Sequence, residues 1–179
     1  VKGSTTSCRE GEPMVYKPIQ IDWITRNHIK EVVSIEKRMF YVPWKIDDFI
    51  KELRRRSVIG KVAVENGKVK GYAIARLKRT SFNILNVAVH PGRQREGIGT
   101  MLMCSFIEKL RPEGRTSVRV MVDERNLHTQ LFLRGLGFFA TKIIEYDNGV
   151  AYDMRYFLMP NAPCMYQPVN RIKHFIGEL

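Results

Sequence analysis

The chain has 179 residues, 44% hydrophobic and 27% charged, a balance that suits one globular domain with a sizeable core. No apolar run approaches the roughly 18–20 residues of a membrane span, and the three widely spaced cysteines, Cys8, Cys104 and Cys164, form neither a disulfide framework nor a zinc pattern. A formal net charge of +12 is compatible with polyanionic partners, but no zinc finger or RNP aromatic pair is present, so nucleic acid is not an expected partner. The polar start, Val1 to Glu12, lacks the apolar stretch of a secretory signal and reads as a flexible leader over 1–13. With the cysteine usage this predicts a reducing cytoplasmic setting, Cys104 being a packing residue.

Val15 to Ile21 reads as a first strand, with Pro18 favouring an edge position. Asp22 is placed to cap a helix whose stripe is Ile24, His28, Val32, Ile35 and Met39. Phe40-Tyr41-Val42-Pro43-Trp44 breaks it, and a second helix starts near Asp47. Val58 to Glu65 and Val69 to Leu77 are strands joined through Asn66-Gly67, a hairpin signal. Phe82 to Val89 is a buried strand, stopped by His90-Pro91-Gly92. A helix follows with Ile98, Leu102, Phe106 and Leu110 on one face. Then come a strand from Ser117 to Val122, a short helix from Asn126 to Leu136 with Leu127 and Leu131, and a last hairpin, Phe138 to Tyr146 and Val150 to Leu158. This order predicts an α/β fold, a mixed sheet with helices on its faces. Beyond it, Pro160, Pro163 and Pro168 make an extended connector to a short helix with an Ile172, Phe175, Ile176 and Leu179 stripe. That stripe packs either on the protein's own core or on a neighbouring copy, so monomer and homodimer both stay open.

Between the Phe82 strand and its helix lies Arg93-Gln94-Arg95-Glu96-Gly97-Ile98-Gly99-Thr100. Here a glycine loop delivers backbone N–H groups to a helix start between two arginines, an arrangement suited to a phosphate. A nucleotide P-loop requires Lys-Ser/Thr after its second glycine, but Ile98-Gly99 follows Gly97. A dinucleotide fingerprint requires a third glycine where Leu102 stands.

With Asn86-Val87-Ala88-Val89 before it, Gln94 to Gly99 resembles the pyrophosphate loop of the GNAT N-acetyltransferase superfamily, which binds acetyl-CoA. Ile35-Glu36, Pro43-Trp44, Asn126, Leu136-Gly137-Phe138 and Tyr146 extend the resemblance toward the ribosomal-protein alanine N-acetyltransferase and N-terminal acetyltransferase branch. The resemblance implies a single-domain GNAT (acyl-CoA N-acyltransferase) fold with a mostly antiparallel sheet over 14–159, followed by an extension over 160–179. It implies that Val87, Ala88, Val89 and Gln94, Arg95, Glu96, Gly97, Ile98, Gly99 and Thr100 hold acetyl-CoA, with the Val87 N–H aimed at the thioester oxygen. Asn126 is either a further cofactor contact or a plain helix N-cap. No metal is implied.

The resemblance also implies a carboxylate base five residues before Asn126 and a tyrosine acid seven after it. Met121 and Leu133 stand there, with Phe132 beside the latter, and a base tyrosine that some relatives carry on the preceding strand falls at Phe82. Little acid–base help suffices for an α-amine, because at a pKa of ~7.7–8.0 roughly a tenth is neutral at pH 7. Asp123 and Glu124 are either holders of a proton-accepting water or simply solvated strand-end charges. The acceptor is therefore read as a peptide or protein N-terminus. The resemblance puts it in a slot lined by Tyr41 and Trp44 on one side and Tyr146 and Tyr152 on the other, Tyr146 being also the candidate to reach the leaving thiolate. The alternative for Trp44 and Tyr41 is packing of the helix junction. Two further readings are a non-catalytic acetyl-CoA sensor or ribosome-associated module, and a small-amine acetyltransferase whose acids would be Asp47, Asp48 and Asp147.

Overall fold

A computed structural model describes residues 18–147 and 149–158. The expected leader, the expected C-terminal extension with its Ile172 to Leu179 stripe, and Val15 to Lys17 lie outside the described residues. Within them the chain runs β1 (Gln20–Trp23), α1 (Ile29–Met39), α2 (Ile46–Leu53), β2 (Val58–Glu65), β3 (Lys68–Leu77), β4 (Ser81–Val89), α3 (Ile98–Ile107), β5 (Ser117–Asp123), α4 (Leu127–Gly135), β6 (Phe139–Tyr146) and β7 (Gly149–Phe157). The expected order of elements holds throughout. The first strand is the exception in position: β1 starts at Gln20, so Asp22 lies inside it and caps nothing. A 3-10 turn over Arg26–His28 leads into α1 instead.

The sheet order is β1-β2-β3-β4-β5-β7-β6. Every neighbouring pair is antiparallel except β4 and β5. The hairpin at Asn66-Gly67 closes with both residues at positive φ, 50° and 73°, the left-handed turn that Asn-Gly tolerates best. Period-two alternation sends Val62, Tyr72, Ile74 and Ala88 to one face, where α1 and α2 cover them with Val32, Ile35 and Phe49. Ala63, Ala73, Ala75, Phe82, Ile84, Val118, Val120 and Val122 point to the other face, against α3 and α4. The β3 residues there are small, and a side chain at Gly71 would meet Ile98 Cγ2 and Leu102 Cδ1 at 3.2 Å, so α3 lies close on the sheet. That explains why α3 is apolar on more than one stripe, burying Met103, Cys104 and Ile107 besides Ile98, Leu102 and Phe106. Cys104 packs as expected. The short helix expected after Asn126 forms as α4, with Leu127 and Leu131 59% and 54% exposed and Leu133 reaching the core.

Beyond β4 the face opposite α4 carries Arg119, Met121 and Asp153. Asp153 has no exposed surface, accepts from Arg119 Nε at 2.8 Å and from Arg155 Nη2 at 2.8 Å, and joins β5 to β7. Burial by itself would raise its pKa, but the hydrogen bonds from Arg155 and Arg119 outweigh burial and hold it below the ordinary carboxylate range. A depressed folded-state pKa contributes stability that is complete above the unfolded value, near 3.9, and is lost as pH falls through the folded one. Asp153→Asn is therefore expected to lower stability by about 2 kcal/mol at pH 7. The gap between it and the wild type should narrow as pH falls below about 4. Urea unfolding at pH 7 and pH 3 checks this, and an equal gap at both would contradict it. No described helix is long and apolar enough to cross a membrane.

Candidate active site

The parallel pairing of β4 with β5 runs only from Ser81↔Ser117 to Ile84↔Val120. Past Ile84 the two strands part. The cause is visible on β4: its pairing with β3 slips between Ile74↔Asn86 and Ala75↔Ile84, so Leu85 is an extra, bulged residue. The bulge puts Leu85 and Asn86 on the α1 face in succession and returns Val87 and Val89 to the α3 face. The His90 N–H donates to Lys70 O on β3 at 2.8 Å. Peptide groups alternate along a strand, so the N–H groups of Val87 and Val89 point away from β3, into the gap beside β5. Ala88 has the opposite sense: its N–H faces β3 and its side chain is buried under α1, which removes it as a direct contact in the gap.

The loop that follows makes a 3-10 turn at Pro91–Arg93 and reaches α3 through two left-handed residues, Arg95 at φ 67° and Gly97 at φ 81°. No N–H group from Arg95 to Thr100 finds an acceptor among the described residues, and α3 has no side-chain N-cap. A run of open donors at a helix start, with glycines admitting close approach, fits a pyrophosphate. Gly99 also keeps α3 near α4, since a side chain there would stand 3.3 Å from Phe132 Cζ.

One expectation about this loop is corrected. Arg93 does not flank a ligand as a free cation. Its guanidinium donates to both oxygens of buried Glu65 and, through Nε, to Glu96 Oε2 at 2.7 Å. Arg93 therefore braces the loop on β2, and the Glu96 side chain is spent on the same brace. Arg95 is the exposed cation that remains. Gln94 Nε2 and Arg38 Nη1 tie the loop to the end of α1, at 3.3 Å from Met39 Sδ and 3.0 Å from His90 Nε2.

Sequence reasoning assigned no role to Glu36, the residue that orders the α1–α2 loop. Glu36 is 1% exposed, in the middle of the α1 core stripe. Its carboxylate accepts from Trp44 N at 2.9 Å, from Asn86 Nδ2 at 3.0 Å and from the Tyr72 hydroxyl. Burial first, then the bond to Glu36, push the Tyr72 phenol above its usual range, so it remains a donor. Glu36 thereby pins the α1–α2 loop to β3 and to the bulged part of β4. Its signal was there to read: an acid one position after Ile35 on a core-facing stripe is rarely buried without a role. The Trp44 ring is half-buried, edge-on to Phe49 at 5.2 Å, whereas Tyr41 is fully exposed.

Asn126 caps α4, its Oδ1 accepting from Thr129 N at 3.1 Å. Its amide nitrogen has no partner among the described residues. Tyr146, 58% exposed, pairs with Gly149 at the end of the last hairpin, on the face of Asp153. Tyr152 does not join it. Its neighbours in β7 alternate, and its ring packs into the α3 face, so the expected pair of tyrosines is split between two faces. Asp123 and Glu124 are exposed, with Asp123 Oδ1 accepting from Arg125 N. Asp48 is committed to the start of α2, accepting from Lys45 N at 2.8 Å. Met121 stands in the gap, 37% exposed and directly opposite Asp153, while Leu133 and Phe82 are core residues. Asp153 lies beside the position where a base is missing, but it is buried and held by two arginines, which makes it a poor proton acceptor. No cluster of three potential metal ligands occurs among the described residues.

Residues 29–138 match the model of the acetyltransferase (GNAT) family. The chain is 28% identical over 104 residues to the ribosomal protein bS18-alanine N-acetyltransferase of Escherichia coli strain K12, covering 58% of this chain and 70% of that one. It superposes on the crystal structure of the Escherichia coli ribosomal-protein-S18-alanine N-acetyltransferase with a TM-score of 0.70 at 22% identity, covering 84% of this chain and 100% of the other. Arabidopsis thaliana Naa50 in complex with the bisubstrate analogue CoA-Ac-MVNAL gives a TM-score of 0.65 at 15% identity, over 77% of this chain and 97% of that one.

Proposed function

The chain belongs to the acetyltransferase (GNAT) family and is an N-acetyltransferase, and from that premise we propose that it acetylates the N-terminal α-amine of a peptide or protein, using acetyl-CoA by direct attack with both substrates bound. The observation that carries the reading is the row of unpaired backbone donors, Val87 and Val89 on the parted strand and Arg95 to Thr100 at the start of α3. Acetyl-CoA supplies an activated thioester carbonyl. The loop N–H groups and Arg95 bind its pyrophosphate, and the Val89 backbone aligns its arm along β4. The Val87 N–H donates to the carbonyl oxygen as negative charge builds there, a contribution of about 3 kcal/mol for a well-aimed donor. The Asn126 amide is free to donate at the same mouth. Trp44 and exposed Tyr41 guide the acceptor in from the α1–α2 loop, and Tyr146 holds its backbone or reaches the leaving sulfur.

A peptide acceptor is supported by what the similar proteins act on: one is a ribosomal-protein alanine N-acetyltransferase, another was captured with a CoA-linked peptide. It is also supported by the absence of a side-chain base at Met121, which costs little for an α-amine and much for a lysine with a pKa near ~10.4. A polyamine acceptor would call for acids in the slot, and Asp48 is already engaged in capping α2. The reading is tested by the pH profile of turnover on a peptide with a free N-terminus. kcat/KM should rise with pH through the peptide's own α-amine pKa and then level, moving when that pKa is altered by changing the first residue. A profile set by an enzyme group near pH 6 and indifferent to the peptide would refute it.

A further inference from the structure

The end of the sheet far from the parted strands is closed by three turns, 54–57 between α2 and β2, 78–80 between β3 and β4, and 108–116 between α3 and β5. Backbone hydrogen bonds join them into one rim. Leu77 N donates to Ser57 O at 2.6 Å, Thr116 N to Thr80 O at 3.0 Å, and Leu158 N to Thr116 O at 2.7 Å. The three turns hold eight basic residues against two acidic ones, Glu108 and Glu113, which is about half of the chain's net charge of +12. Arg54, Arg55, Arg56, Lys78, Arg79 and Arg111 are all exposed. Arg55 is paired with Glu52 at 3.3 Å, whereas Arg54, Arg56, Lys78 and Arg79 make no ion pair among the described residues. Like charges held this close repel one another, and a bound polyanion removes that cost.

We infer that this rim is a docking surface for the phosphate backbone of a nucleic acid, read without base contacts. The chemistry favours phosphodiesters over other polyanions. Arginine outnumbers lysine, and its planar fork matches phosphate oxygens bidentately. The turns themselves expose no large apolar or aromatic side chain, Leu110 being 2% exposed, and the half-exposed Trp23 ring that adjoins Lys109 is stacked under Lys61 Nζ at 3.6 Å, so the turns by themselves offer neither a protein-interface anchor nor a wedge for a lipid surface. Sequence motifs do not reveal such a surface because phosphate contacts need only charge and position. The rim begins at Ser81 and the candidate active site at Val89, the two ends of β4, about 25–30 Å apart at ~3.3 Å per residue. A nucleic acid bound here leaves the acetyl-CoA loop and the acceptor mouth open, and holds the enzyme beside whatever protein that nucleic acid carries.

Fluorescence anisotropy with a labelled 20-base-pair RNA duplex, and with a DNA duplex of the same sequence, tests this between 50 and 200 mM salt. The full chain should bind at low salt, with log K falling linearly in log salt, and the tighter duplex identifies the source. Arg56→Glu/Arg79→Glu should weaken binding at least tenfold and flatten the salt slope by roughly 0.9 for each phosphate that is no longer neutralised. Lys30→Glu/Lys37→Glu, which changes the net charge equally on the exposed face of α1, should shift affinity less than threefold. Arg56→Gln/Arg79→Gln carries the test if the glutamate pair does not fold. Equal losses in the rim and α1 variants, no loss in the rim variants, or tighter binding to polyglutamate or to phosphatidylserine vesicles would overturn the inference.

Discussion

Gly97→Val should abolish measurable acetyl-CoA binding, a loss of at least a hundredfold, while the protein still folds. Two effects act together. Gly97 sits at φ 81°, a conformation that a β-branched residue adopts only at a cost of about 1–3 kcal/mol. The loop would relieve that strain by turning the N–H groups of Ile98 and Gly99 out of line. A side chain at this position would also crowd the approach proposed for the pyrophosphate. The fold should persist because the loop is braced elsewhere, by Arg93 on Glu65 and Glu96 and by Gln94 on Met39. Calorimetric titration, with circular dichroism as the control, checks this. Arg95→Ala is the milder companion, expected to weaken binding severalfold, since Arg95 is the cation left once Arg93 is committed.

Glu36→Ala should destabilise the protein by about 4 kcal/mol and raise the KM for a peptide far more than that for acetyl-CoA. The stability loss follows from three donors losing their acceptor inside the core, the Tyr72 hydroxyl, the Asn86 amide and the Trp44 N–H, at roughly 1–3 kcal/mol for each left unsatisfied. The kinetic split follows from where those donors are. In the proposed reading Trp44 belongs to the loop that faces the acceptor, whereas the loop proposed for the cofactor is held by the separate Arg93 brace. Glu36→Gln keeps the shape but leaves only one oxygen to accept, so it should recover part of the stability and little of the peptide affinity. Denaturant unfolding and steady-state kinetics with each substrate varied in turn check both halves. Equal KM changes for the two substrates would mean that Glu36 is a core residue and nothing more.

What the sequence made legible was local. Asn66-Gly67, the His90-Pro91-Gly92 stop and the glycines before α3 each specify a backbone conformation within a few residues, and each is where it was read. The proposed acceptor side depends on partners distant in the chain, and there the reading was incomplete. Arg93 looked like a phosphate ligand because Glu65, which engages it, lies 28 positions away. Glu36 had no evident purpose until Tyr72 and Asn86, 36 and 50 positions away, were brought to it by β3 and the bulge at Leu85. Tyr146 and Tyr152 looked like two sides of one wall because they are close in sequence, but the hairpin turn and strand alternation send their rings to opposite faces. Leu127 and Leu131 have helical spacing, yet the short α4 turns Leu133 to the core and leaves those two exposed.

The proposed reaction delivers acetyl to a peptide α-amine without a side-chain base. Its most direct measurement is fragment-ion mass spectrometry of peptides incubated with the enzyme and acetyl-CoA, each peptide carrying one free N-terminus and one internal lysine. One acetyl group, on the N-terminal nitrogen, with no product from copies whose N-terminus is blocked, is the result expected. Acetyl on the lysine side chain, or no product from any first residue tested, would contradict it.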